Sequence, residues 1–123
     1  MFKINNNICF KKQYSLNERI TESDRVKKKH PGQIPVICER SINAPNDCPF
    51  IDKVKYLVPR ELTVGQFIYV IRKRLNLHST KALFIFINGS IPPTSQSIGF
   101  IYDTKKDEDG FLYFTYSFEN VFG

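Results

Sequence analysis

The sequence predicts an α+β domain: four strands in one mixed sheet, a long helix packed across one face, and two short helices ahead of the sheet. Three observations carry that prediction. Two segments alternate with period two, "DKVKYLVP" and "GFLYFTYSF". One segment, "VGQFIYVIRKRLNL", places Val64, Phe67, Ile68, Ile71 and Leu75 at the spacing of a helix with a single buried stripe. Residues 9–32 are charged and only weakly periodic, which suits helices outside the main core.

In chain order, "MFKINNN" is polar and aperiodic, and residues 1–8 read as a flexible leader. Residues 9–32 form a helical extension, with Leu16, Ile20 and Val26 as its apolar positions. Ser15 stands three residues before Glu18, the spacing of a capping box, and Pro31-Gly32 ends the helix. "IPVICE" (Ile34–Glu39) is a β-branched run and reads as a strand. "RSINAPNDCPF" is a loop by its Asn, Asp and Pro content. In the next strand Val54, Tyr56 and Val58 face one way and Lys53, Lys55 and Leu57 the other, and Pro59 closes it. Thr63 caps the long helix. "ALFIFI" is almost wholly apolar, as a central strand covered on both faces would be, and "NGS" is the turn after it. "PPTSQSIGFIYD" offers at most a short helical turn. The last strand puts Leu112, Phe114, Tyr116 and Phe118 on one face and Phe111, Tyr113 and Thr115 on the other. Two strands, a crossing helix and two further strands make the ubiquitin-like β-grasp arrangement, over residues 33–118, with 119–123 as a flexible tail.

At 123 residues, with 41% hydrophobic and 14% aromatic content, the chain suits one domain with its own core. Eighteen Lys and Arg against twelve Asp and Glu give a net charge of +6, and residues 1–40 hold nine basic and four acidic groups. Such a balance favours acidic partners of any kind: nucleic acid, an anionic membrane or an acidic peptide. Cys9, Cys38 and Cys48 show no CxxC spacing, and the first residues lack the apolar stretch of a signal peptide, so a reducing cytoplasmic setting is expected. The longest apolar run, Ala82–Ile87, is far short of the roughly 20 residues that span a bilayer.

Among chemistry-bearing residues, Cys38 with His30 or His78 has no local signature of a catalytic pair, and a small buried thiol is the plainer reading. "KDEDG" lacks the alternating ligands of an EF-hand loop and reads as a solvated turn. No metal site, cofactor or catalytic residue is indicated. "RVKKKH" and "RKR" supply phosphate-neutralising charge, but no nucleic-acid-binding module surrounds them, and nucleic acid is not expected as a partner. Tyr56, Val58, Leu62, Phe67 and Val70 converge from a strand and the following helix, and Lys55, Leu57 and Phe111 converge near the N-terminal helices. These two sets suit either a peptide site or plain core.

"KKKHPGQIPVICE", "KYLVPRELTVGQFIYVIRKRL", "ALFIFINGSIPPTS" and "DEDGFLYFTYSFENVFG" stand in order with near-family spacing. On these motifs the segment from Cys9 to Gly123 resembles the autophagy ubiquitin-like modifiers of the GABARAP family. The resemblance implies a non-enzymatic modifier joined through the carboxylate of Gly123 to phosphatidylethanolamine, without prior trimming. It implies activating and conjugating enzymes and a delipidating cysteine protease as partners, with Phe84, Phe86 and Phe122 in their recognition. It also implies receptors carrying a W/F/Y-x-x-L/I/V motif added as a strand along residues 53–58. Glu22, Val26, Pro35, Lys55, Leu57 and Phe111 would take the aromatic side chain, and Tyr56, Val58, Pro59, Leu62, Phe67 and Val70 the aliphatic one. Lys27, Lys28, Lys29, Arg72 and Arg74 would meet acidic residues flanking the motif. The expected location is cytoplasmic, and the autophagosomal membrane once lipidated. Tubulin is a further partner that the resemblance raises for the N-terminal helices.

Several positions depart from the family pattern. Gln33 replaces a common arginine, His30 a common tyrosine and Ser15 a common proline, and the loop from Arg40 to Ile51 is longer than in close relatives. Two other readings stay open at this stage: a basic nucleic-acid- or anionic-surface-binding domain, and a modifier conjugated to proteins rather than lipid.

Overall fold

The computed structural model describes residues 4–5 and 7–120. Eight elements follow in order: α1 (Phe10–Gln13), α2 (Leu16–Lys29), β1 (Gln33–Arg40), β2 (Lys55–Pro59), α3 (Val64–Leu75), β3 (Phe84–Phe86), α4 (Ile98–Lys105) and β4 (Leu112–Ser117). The strands form one sheet in the order β2-β1-β4-β3. β1 runs parallel to β4, with Arg40 beside Tyr116, and the outer pairs are antiparallel. This is the ubiquitin-like β-grasp sheet, mixed and crossed by α3.

Side-chain alternation divides the sheet into two differently built faces. On one, Ile34, Val36 and Cys38 of β1 and Leu112, Phe114 and Tyr116 of β4 pack with Val64, Phe67 and Ile71 of α3 in the main core. Those three α3 side chains are wholly enclosed, while Ile68 and Leu75 flank them half-buried. On the other face Ile37 and Phe111 enclose Phe10 of α1, whose ring meets Phe111 edge-on at 5.5 Å.

The caps follow the sequence. Ser15 and Glu18 exchange both bonds of a capping box at α2, and Thr63 and Gln66 do the same at α3. Asn88 and Gly89 both take positive φ, 49° and 77°, and the Ile87 and Ser90 backbones bond reciprocally at 2.8 and 3.0 Å across the turn they make.

Three expectations need correction. The "ALFIFI" run is not the central strand: β3 is a three-residue strand at the sheet edge, and β1 and β4 occupy the centre. Its apolar character arises because Ile85 and Ile87 enter the main core while Phe86, on the other side, is also buried. The region after Pro93 holds more than one turn of helix. Ser97 caps α4 by accepting from the Phe100 amide, and burial of Ile98, Ile101 and Tyr102 holds eight residues helical. Finally, "KDEDG" is not wholly solvated, because Asp109 is buried.

The N-terminal side is fastened by polar contacts. Gln13 accepts from the Asn5 amide and donates to the Asn5 and Ile8 carbonyls, each at 2.8 Å, so these leader residues are tied to α1. The Phe10 amide donates to Glu39 of β1 at 2.7 Å. No helix among the described residues is long and apolar enough to cross a membrane.

Candidate functional site

β2 is an edge strand, bonded through its register with β1: Ile37 opposite Lys55, Pro35 opposite Leu57, Ile34 opposite Val58. Directly opposed residues share a face. Lys55, Leu57 and Pro35 therefore lie on the α2 side of the sheet, and Tyr56 and Val58 on the α3 side. The two residue sets singled out from sequence sit on either side of one edge strand.

On the α2 side, Glu22 is the electrostatic centre. It is 5% exposed and accepts two hydrogen bonds from Arg25 at 2.9 Å and a third from Lys55 across the gap to β2. The Arg25 fork, joined by the Lys55 bond and charge, outweighs desolvation and lowers the Glu22 pKa to about 2. Val26 and Pro35 are buried close by, and Leu57 is half-buried. Phe111 is wholly enclosed under Phe10, so this conformation presents the rim of the set, Lys55 and Leu57, rather than the Phe111 ring.

On the α3 side, Tyr56 meets Phe67 edge-on at 5.5 Å, and its hydroxyl donates to the Lys53 carbonyl at 2.6 Å. Tyr56, Val58 and Phe67 belong to the main core, Leu62 packs against it, and Pro59 is exposed. Val70 is exposed and, with Asp52, Tyr69, Lys73 and Arg74, lines an open concavity of about 470 Å³. Sequence reasoning named Val70 and Arg74 but missed Asp52, Tyr69 and Lys73. The available signal was Tyr69, an aromatic residue outside the buried stripe of its helix.

The basic residues divide. Arg74 pairs with Asp52 at 3.0 Å, Arg72 donates to the His78 and Ser79 carbonyls, and Lys27 lies 3.9 Å from Asp24. Lys28 and Lys29 are solvent-exposed. Phe84 and Phe86 stack on β3 with centroids 6.4 Å apart, Phe84 half-buried. Phe122 and Gly123 lie outside the described residues.

What sequence reasoning missed altogether is Asp109. It is 1% exposed and accepts from Arg19 Nη1 at 2.9 Å, from the Phe111 amide at 2.8 Å and from the Tyr113 hydroxyl. Desolvation raises its pKa, opposed by the Tyr113 and Phe111 bonds and the Arg19 charge. Its own carbonyl accepts from Ser23 of α2. Gly110, at φ +90°, permits that approach, because a Cβ there would stand 2.5 Å from the Ser23 hydroxyl oxygen. Cys38, by contrast, is an enclosed thiol whose pKa burial drives up, which suits core packing. Among the described residues no cluster of His, Cys, Asp and Glu could hold a metal ion.

A β-grasp sheet, a helical unit docked on its outer face and an edge strand flanked by two side-chain sets define a ubiquitin-like modifier with an N-terminal extension. The family description "Autophagy protein Atg8 ubiquitin like" matches residues 18–123. The chain is 54% identical to autophagy-related protein 8c of Arabidopsis thaliana over 117 residues, 95% of this chain and 97% of that one. It is 55% identical to autophagy-related protein 8 of Schizosaccharomyces pombe over 114 residues, 93% of each. Among solved structures, Trypanosoma brucei ATG8 superposes with a TM-score of 0.83 at 41% identity, covering 89% of this chain and 93% of that one. Plasmodium falciparum Atg8, solved in complex with a Plasmodium falciparum Atg3 peptide, superposes with the same score at 31% identity, covering 91% and 97%. The chain belongs to the Atg8 family and is an autophagy ubiquitin-like modifier, which bears out the resemblance read from its motifs.

Proposed function

We propose that this modifier is attached through Gly123 to phosphatidylethanolamine and, on the membrane, recruits receptors that carry a W/F/Y-x-x-L/I/V motif. The single observation that supports receptor docking is the edge position of β2, with an ionic and half-apolar rim on its α2 side and an apolar one on its α3 side. An extended peptide adding to that edge gains backbone hydrogen bonds, while alternate side chains reach the two sides in turn. The aromatic residue goes toward Lys55, Leu57 and the groups behind them, the aliphatic one toward Val58, Pro59, Leu62 and Val70. Lys28 and Lys29 are placed to meet acidic flanks without giving up an internal partner.

In this reading the chain is a substrate and an adaptor rather than a catalyst. ATP activates the Gly123 carboxyl as an acyl-adenylate with release of pyrophosphate, a thiol of the conjugating machinery displaces AMP to form a thioester, and the ethanolamine amine displaces that thiol to form an amide. Glycine suits the narrow passage this needs, since it has no Cβ. Residues 119–123 serve as the tail, Phe84, Phe86 and Phe122 as recognition groups, and the protein moves from cytoplasm to autophagosomal membrane as two acyl chains become its anchor.

The test has two arms. Reconstituted conjugation on phosphatidylethanolamine vesicles, read by intact mass, should give a lipid adduct with the full chain and none when Gly123 is deleted. Calorimetry with a W-x-x-L peptide should show Leu57→Asp losing about 2 kcal/mol or more of binding with the fold intact. Unchanged affinity in that variant rules out docking at this edge.

A further inference from the structure

Because β1 and β4 run parallel, their C-terminal ends share one end of the sheet. The chain toward Gly123 leaves β4 there, and so does the loop that follows β1, residues 41–51. The Ser41 amide donates to the Tyr116 carbonyl at 2.8 Å, and the Tyr116 hydroxyl donates to the Pro49 carbonyl at 2.6 Å. Lys81 ties the two further: it donates to Asp47 of the loop at 3.0 Å and lies 4.5 Å over the ring of Phe118.

This loop is held in shape from inside. Arg40 donates to the carbonyls of Cys48, Ala44 and Pro45 at 2.7, 3.0 and 3.0 Å, while Ala44, Cys48 and Ile51 are buried. Against that ordered base, Ile42 is 90% exposed, the most exposed large apolar side chain among the described residues, and Phe50 is 49% exposed beneath the Arg40 guanidinium. A solitary exposed isoleucine is ordinary on a protein surface. Its position beside the tail exit is what distinguishes this one.

We infer that the loop at residues 41–51 is a second membrane contact, in which its exposed Ile42 enters the interface of the bilayer to which the tail is joined. The inference rests on the proposed attachment through Gly123. Five residues, 119–123, separate Phe118 from the lipid. Even fully extended they reach roughly 17 Å, so the attached domain cannot stand clear of the surface. Ile42 follows Ser41, whose backbone is bonded to β4 two residues before Phe118, so it lies at the end of the sheet the tether draws down. An apolar tip on a rigid loop gains from the headgroup–acyl boundary what it lacks in water.

The chain contains no tryptophan, so a single substitution makes a clean reporter. Ile42→Trp and Gln33→Trp, the latter at the opposite end of β1, are conjugated enzymatically to vesicles of phosphatidylcholine and phosphatidylethanolamine. The Ile42 reporter should shift to the blue and be quenched about two-fold by doxyl-labelled lipid, as at the headgroup–acyl boundary, while the Gln33 reporter stays water-like. Amide exchange over residues 41–50 of the native chain should slow on lipidation, and Ile42→Asp should remove that slowing. A water-like Ile42 reporter together with unchanged exchange in the lipidated protein overturns the inference. A second arm replaces the enzymes with chemistry: Gly123→Cys in a Cys9→Ser background is coupled to a maleimide-headgroup lipid, the buried Cys38 and Cys48 being protected from the reagent. If enzymatic conjugation fails and this tethered chain still shows the shift, the attachment reading falls and the loop contact stands. If the tethered chain shows no shift, the contact falls.

Discussion

Two helices cover the two faces of one sheet by opposite means. α3 buries Val64, Phe67 and Ile71, all fully enclosed. α2 buries Arg19, Glu22, Ser23 and Val26, at 8%, 5%, 0% and 7% exposure, a stripe at the same helical spacing in which three of four residues are polar or charged. The first attachment is non-directional and tolerant of sliding. The second depends on partners at set distances: Asp109 for Arg19 and Ser23, and Lys55 for Glu22. Apolar burial thus holds the sheet and α3 together as a core, whereas α2 adds a bonded layer whose strength varies with pH, beside the apolar seat of Phe10 in α1.

The comparison breaks most visibly at Phe67, whose ring sits 5.5 Å from both Tyr56 and Phe114. Phe67→Ala should cost about 3–5 kcal/mol in denaturant unfolding. That loss should hardly change from pH 7 to pH 3, since none of the three groups titrates there.

Glu22 sharpens the contrast from the other face. Its folded-state pKa of about 2 lies below the ordinary value of 4.5. A depressed carboxylate stabilises the fold above its unfolded pKa, and that contribution is lost as pH falls through the folded one. The stability gap between the native chain and Glu22→Gln should therefore reach at most about 3 kcal/mol at neutral pH, since half-exposed Arg25 is screened. It should close between about pH 4.5 and about pH 2. A gap that persists at pH 2 would assign Glu22 a packing role instead.

A smaller effect is expected at Asp109. Asp109→Ala strands the Arg19 guanidinium and the Phe111 amide, at a cost of about 2 kcal/mol, less than for a fully buried lone charge because Arg19 also donates to the Tyr14 carbonyl. The double substitution Arg19→Met with Asp109→Leu should recover the part of that loss due to Arg19 in the same unfolding measurement, while the Phe111 amide and the Tyr113 hydroxyl stay unsatisfied. No recovery would mean that the polar pair, not merely burial, is required to seat α2.

The two faces were also unequally legible. The α3 stripe, the faces of β2 and β4, the N-caps Ser15 and Thr63 and the Asn88-Gly89 turn follow from patterns within a few residues and were legible there, whereas the Ser97 cap of α4 was not. The α2 stripe escaped because apolar periodicity selects Leu16 and Ile20, yet Leu16 is exposed while Arg19 and Ser23 are buried. The site divided likewise. The sets around β2 were legible from alternation and resemblance, but the concavity at Asp52, Tyr69 and Lys73 forms only where α3 passes the segment before β2.

By itself the sequence determined the order of helices and strands, the caps at Ser15 and Thr63, the β-grasp class and the Atg8 family, because each is written in local spacing or in ordered motifs. Only the tertiary structure decided that β3 lies at the edge, that Asp109 is an anchor rather than a solvated turn residue, and that the loop after β1 shares an end with the tail. Arg19 and Asp109 are ninety residues apart. Whether a charge is buried or a strand is central depends on what arrives beside it from such distances, and local periodicity holds no record of that.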